Sequence, residues 1–185
     1  MMTSSFPGRM PLVVATVVLL VALAGCSPRV DLSMAATPEI NPAPSGDPLS
    51  VVVRLYQLDD DTPFLEADFD DLLAGDEDAL GDAMLAREEY VVRPDEQKNV
   101  TVDMEEDATH AAVAVLYRRP DSDRWRVIEA LPGDFFGLRG SSGLRLGLSG
   151  NALLEGDDAD AVHMRFAEDR PTPQRNQPRG RGGWR

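Results

Sequence analysis

Short runs in which apolar and polar residues alternate recur along this chain, and a period of two commits a segment to a strand with one buried face. Val30, Leu32 and Met34 alternate with Asp31, Ser33 and Ala35, which predicts a first strand. Leu49 to Leu58 is apolar on both faces, as expected of a central strand. Glu88 to Arg93 and Lys98 to Met104 are joined by Pro94-Asp95-Glu96-Gln97, a hairpin-length turn. Ala111 to Arg118 is almost wholly apolar, and Pro120-Asp121-Ser122-Asp123 turns it into Arg124 to Leu131. Leu144, Leu146 and Leu148 predict a seventh strand, and Val162, Met164 and Phe166 an eighth.

Two stretches interrupt the alternation. Thr37 to Pro48 holds Asn41, Pro42, Pro44, Gly46 and Pro48, the residues of a loop. Thr62-Pro63 reads as a helix start with proline at the first helical position. Leu65, Phe69, Leu72 and Leu73 follow at helical spacing until Gly75, and Asp76 is placed to cap a second short helix carrying Leu80 and Met84. The reading is therefore a mainly β sandwich of about eight strands, residues 30–168, with a two-helix insert over residues 63–86 between strands 2 and 3.

The amino-terminal segment has a different character. Pro11 to Ala24 is free of charge, follows Arg9, and ends in small residues before Cys26, the one cysteine of the chain. A span of roughly twenty apolar residues is needed to cross a bilayer, and this stretch falls short of it. A basic start, a short apolar middle and a small-residue exit are those of a secretory signal, expected over residues 1–25. The run Leu23-Ala24-Gly25-Cys26 resembles a bacterial lipobox, which implies cleavage before Cys26 and lipid on its thiol. Ser27 in place of aspartate resembles an outer-membrane address. Residues 26–29 then form a lipidated tether, and Ser27 to Arg29 reaches about 10 Å when extended.

Charge narrows the partners. All 32 acidic residues and 17 of the 18 basic ones follow the signal, a formal charge of −15. Arg170 to Arg185 holds five of those arginines and no acid, so Cys26 to Asp169 carries −20. Such a body repels nucleic acid and anionic lipid. It suits a basic protein partner, and equally a surface kept soluble in salt. The segment 169–185, rich in Arg, Pro and Gly, has too little apolar surface to fold and is expected to be disordered.

No catalytic constellation emerges, and an enzyme is not expected. With Cys26 acylated there is no free thiol nucleophile. Gly140-Ser141-Ser142-Gly143 does not fit a nucleophile elbow. His163, between Val162 and Met164, reads as an outward-facing strand residue, and His110 as a surface residue at a strand entrance. Asp59-Asp60-Asp61 lacks the spacing of a calcium loop and reads as a solvated strand exit, so neither metal nor cofactor is expected beyond the lipid on Cys26. Tyr56, Phe64, Phe69, Tyr117 and Trp125 are assigned to the core.

Four features together resemble one family. They are the Cys26 lipobox; Asn41-Pro42, Gly46 and Pro48 leading into Leu49–Leu58 with its Arg54-Leu55-Tyr56-Gln57-Leu58 ending; Phe64 with Ala67-Asp68-Phe69 and Leu72-Leu73; and Val113 to Trp125. The pattern is similar to the TssJ (VasD, SciN, Lip) outer-membrane lipoproteins of the type VI secretion system, closely over Val30 to Leu131 and loosely from Gly143 to Phe166. The resemblance implies a transthyretin-like β-sandwich without enzymatic activity. It implies a scaffold role on the periplasmic face of the outer membrane, docking the periplasmic domain of the inner-membrane protein TssM, with TssL in the same complex. It also implies that the loop between strands 1 and 2 grips the partner, here Asn41, Pro42, Ala43, Pro44, Ser45, Gly46 and Asp47. The alternative is a periplasmic transthyretin-like lipoprotein that binds a small ligand or glycan.

Overall fold

A computed structural model describes residues 28–133 and 140–168. The signal, Cys26 and the basic segment from residue 169 lie outside the described residues. Eight strands form two four-stranded sheets. In the first, β1 (Arg29–Ala36) lies between β4 (Gln97–Asp103), antiparallel, and β7 (Ser141–Ser149), parallel, and β7 turns back into β8 (Ala152–Leu154). In the second, antiparallel throughout, the order is β3 (Met84–Val92), β2 (Val51–Leu58), β5 (His110–Leu116), β6 (Arg126–Ala130).

The alternation of β1 does what its period requires. Val30, Leu32 and Met34 are buried, and Leu32 and Met34 are in register with Leu144 and Leu146 of β7. Opposite them Val53, Leu55, Val113 and Val115 come from the second sheet, and all belong to one core. Burying such side chains contributes roughly 1.5–3 kcal/mol each.

β2 and β5 are buried on both faces because helices cover the outer face of their sheet. After β2 come α1 (Thr62–Glu66) and α2 (Phe69–Leu80), followed by a 3-10 turn at Gly81–Ala83. Asp60 Oδ1 accepts the Thr62 N–H at 2.8 Å, and Pro63 sits in the first turn of α1. The helix stops after one turn, and Asp68 with Asp71 forms a capping box that starts α2. A further break falls at Gly75, where helical geometry was expected to stop and the backbone is extended (φ −179, ψ 91), while Met84, assigned to a helix from its spacing, opens β3.

Asp76 does not cap a helix either. It is buried, and its carboxylate accepts from Tyr56 Oη at 3.0 Å and Arg87 Nη1 at 2.6 Å, with Arg54 Nη1 at 3.2 Å. Burial alone would raise this carboxyl. The bonds from Arg87 and Tyr56 and the charge of Arg54 nevertheless hold it below the ordinary carboxylate range. Arg54 Nη1 also donates to Leu72 O at 3.0 Å. From β6, Arg126 Nη1 donates to the carbonyls of Phe64 and Ala67, both at 2.7 Å, so the insert is bolted to the sheet by charge-assisted bonds. Tyr56 stacks against Phe64, and Phe69 meets Trp125 edge-on.

The outer face of the first sheet is covered by α3 (Gly156–Glu168), where an eighth strand was expected. Val162, Met164 and Phe166 alternate by coincidence. Ala159, Val162 and His163 form the buried stripe at helical spacing, Asp157 and Asp158 occupy the first turn, and Met164 is exposed. The eighth strand is instead Ala152–Leu154. α3 approaches β7 so closely that a Cβ on Gly147 would meet the Ala159 Cα at 3.0 Å, which is why β7 carries glycine there.

His163, expected at the surface, is buried. Its Nε2 donates to Leu146 O at 3.0 Å, and its Nδ1 accepts from Gln97 Nε2 at 3.2 Å. Arg145 and Asp160, paired with each other at 2.8 Å, are the nearest charges. Burial lowers the imidazole pKa from 6.5, against the opposing bond to Leu146. Below that ordinary value the unfolded chain therefore takes up a proton before the native one does. Stability is complete above pH 6.5 and falls as the pH drops, by up to about 1.4 kcal/mol per pH unit. His163→Gln, which keeps a donor for Leu146 O, is expected to flatten this slope between pH 7.5 and 5.5 in urea unfolding. Equal slopes in both proteins would refute the assignment.

Candidate functional site

The strand directions gather four connections at one pole: residues 37–50, 93–96, 117–125 and 150–151. The first of these is stitched to the other three. Thr37 N–H donates to Leu148 O at 2.8 Å, Asp95 N–H to Thr37 O at 3.4 Å, and Asn41 N–H to Gly150 O at 2.6 Å. Arg118 N–H donates to Asn41 Oδ1 at 2.8 Å, and the Arg118 guanidinium reaches Pro42 O at 3.1 Å through Nη2.

The loop divides into a buried root and an exposed tip. Thr37, Ile40 and Asn41 are buried, and Ile40 is fully enclosed. Asn41 has φ +47, a conformation asparagine tolerates better than most residues, and its Nδ2 closes the loop by donating to Ser50 O at 2.9 Å. The tip is a tight turn: Ala43 N–H donates to Asp47 O at 2.8 Å and Gly46 N–H to Ala43 O at 2.9 Å. Gly46 has φ +91, which requires glycine. Of the expected site residues, Asn41 is an internal tie, Pro42 and Ala43 are half-buried, and Pro44, Ser45, Gly46 and Asp47 are exposed. The rigid root presents the tip in one conformation, which reduces the entropy lost on binding.

The sequence reading missed the neighbours of that loop. Arg118, Arg119, Pro120 and Asn151 line a cleft of about 500 Å³ together with Pro42 and Pro44. Only the turn chemistry at Pro120-Asp121 was legible, because nothing local shows that residue 151 comes to lie beside residue 121. The bond from Asp121 N–H to Asn151 O, 3.0 Å, makes that junction. A second cleft, about 530 Å³, lies along the insert and is lined by Glu66, Asp71 and Asp78 among others. Among the described residues no group of three or more His, Cys, Asp or Glu is placed to hold a metal ion. No described helix is long and apolar enough to cross a membrane.

Residues 28–150, strands β1 to β7, match the family model of the type VI secretion lipoproteins VasD, EvfM, TssJ and VC_A0113. The chain belongs to this TssJ/VasD family. It is similar to the type VI lipoprotein TssJ1 of Pseudomonas aeruginosa, at 25% identity and TM-score 0.58 over 70% of this chain and 97% of that one. A chain in a structure of the type VI protein TssM C-terminal domain (869–1107) from EAEC is 29% identical, at TM-score 0.56 over 69% and 97%. Lip of Serratia marcescens, a membrane-bound component of the system, shares the fold at 22% identity and TM-score 0.62 over 71% and 97%. No curated protein matches the chain. Helix α3 lies beyond the residues that the TssJ/VasD model matches.

The geometry makes Asn41 the residue on which the TssJ-family loop depends in this chain. Asn41→Ala leaves Arg118 N–H and Ser50 O without their partner and is expected to cost about 2 kcal/mol. Asn41→Asp, which keeps the acceptor, should cost roughly half of that. Denaturant midpoints would measure both, and an unchanged midpoint for Asn41→Ala would show that backbone bonds alone hold the loop.

Proposed function

We propose that this chain is a lipoprotein scaffold of the type VI secretion membrane complex. In this reading Cys26 anchors it in the periplasmic leaflet of the outer membrane, and the pole built around Pro42 to Asp47 docks the periplasmic domain of the inner-membrane protein TssM, with TssL in the same assembly. The observation that carries the reading is the opposition of the two ends. β1 runs away from the amino terminus, and its far end opens directly into the loop 37–50. Eight strand residues at ~3.3 Å each put about 25 Å between them. Pro28 O accepts the Met104 N–H at 2.8 Å, which ties the chain down two residues after Cys26. A lipid on Cys26 would thus hold one pole at the membrane, while the loop pole faces into the periplasm.

Membership of the TssJ/VasD family and the likeness to a chain in a TssM C-terminal-domain structure support the same partner. The role needs no catalyst. It needs a rigid end, and the hydrogen-bonded loop root supplies one.

Replacing Ala43 to Asp47 by a two-residue turn, with the root kept, is expected to weaken binding to the TssM periplasmic domain at least tenfold and to leave Tm nearly unchanged. Retained affinity with a large loss of Tm would make the loop structural only. Failure of the unaltered protein to bind at micromolar concentration would favour the small-ligand alternative. In fractionated cells Cys26→Ser should move the folded protein from the membrane to the soluble periplasm, and persistence in the membrane would refute the anchor.

A further inference from the structure

Acids outnumber basic residues 32 to 18 in this chain, so an exposed guanidinium without a carboxylate is unexpected. Arg54, Arg87, Arg93, Arg124 and Arg145 all have acidic partners. Arg118 and Arg119, adjacent and exposed, have none among the described residues. Arg118 is held rather than free: Nε and Nη2 donate to Pro42 O at 3.4 and 3.1 Å. An arginine carries five N–H donors, so this clamp leaves three for another acceptor. Both arginines line the cleft of about 500 Å³ beside the loop tip. The acid on the same lining, Asp121, is already paired with Arg124.

The cleft holds a second unmet demand. Asn151 Oδ1 is buried and has no hydrogen-bond partner among the described residues. An acceptor left in that state costs about 1–3 kcal/mol. The backbone here is fixed: the Asn151 carbonyl accepts from Asp121 N–H at 3.0 Å, and Leu153 N–H donates to Arg124 O at 2.7 Å.

We propose that this cleft receives an acidic side chain, Asp or Glu, from an exposed segment of the periplasmic partner. The carboxylate sits on the free N–H groups of Arg118 and Arg119. Charge-assisted bonds to a carboxylate are about twice as strong as neutral ones and shorter. The pairing also favours specificity, because acids outnumber basic residues in the body and repel a carboxylate from most of its surface. The inference rests on the docking reading above, and it names the chemistry that the partner must bring.

The test is binding of the full-length lipidated protein, in detergent, to the TssM periplasmic domain between 50 and 300 mM salt. Arg119→Glu should lower affinity at least tenfold at low salt, with Tm unchanged because this side chain holds nothing in the fold. Arg119→Gln should fall between the two. The unaltered protein should lose affinity as salt rises, and Arg119→Glu should not. An Asp→Arg or Glu→Arg change at one exposed site of the partner should weaken the unaltered protein and restore Arg119→Glu. If the unaltered protein binds and Arg119→Glu binds equally with the same salt slope, the acidic-residue inference is overturned while docking stands. If the unaltered protein does not bind at all, both fall.

Discussion

Burial of the central strands on both faces is the constraint from which the rest of this structure follows. β2 and β5 have apolar residues at nearly every position, so a simple sandwich would leave one apolar face in water. The insert between β2 and β3 solves this by lying over Tyr56, with Phe64, Leu72 and Leu80 buried beneath it. Its attachment is polar as well as apolar. Asp76 is nearly inaccessible and meets Arg54, Arg87 and Tyr56, while Arg126 holds the carbonyls where α1 ends. A buried carboxylate is tolerable only when its partners are complete, and here they are. α3 does the equivalent for the other sheet, docking on Gly147 and locking through His163.

Direction along β1 then separates two tasks in space. The chain enters at one pole, and the loop that follows β1 is at the other. Because β7 runs parallel to β1 and the remaining pairs are antiparallel, three further connections converge on the loop. Asn41 is the meeting point, giving bonds to Ser50 and Gly150 and taking one from Arg118. A TssJ-family body of this design keeps its amino-terminal pole and its hydrogen-bonded loop a strand's length apart.

Electrostatics at the loop pole run against the surface as a whole. Most basic side chains of the body are consumed by acids or by backbone carbonyls in holding the fold. Arg118 and Arg119 are left over at a cleft where a buried amide oxygen also lacks a donor. In the proposed docking, this basic pair on an acidic body would select a partner by repulsion elsewhere as well as by contact.

Much of this was readable without coordinates. Alternation placed seven of the strands, because a one-residue slip would turn Val30, Leu32 and Met34 into water. Proline at residue 63 started α1, and the loop 37–50 was legible from its prolines and Gly46. The failures have a common cause. Val162, Met164 and Phe166 satisfy a strand period, Ala159, Val162 and His163 satisfy a helix period, and nothing local arbitrates between them. What decides is packing against β7, where Gly147 leaves room for the helix backbone at Ala159. In the same way Asp76 reads locally as a cap, and only the approach of Arg54 and Arg87 makes it an internal anchor. The sequence by itself determined seven of the strands and the turns between them, since these rest on periodicity and on single-residue backbone preferences. Tertiary structure alone decided which polar groups meet, because Asn41, Arg118 and Asn151 are separated by dozens of residues and come together only when two sheets close around one core.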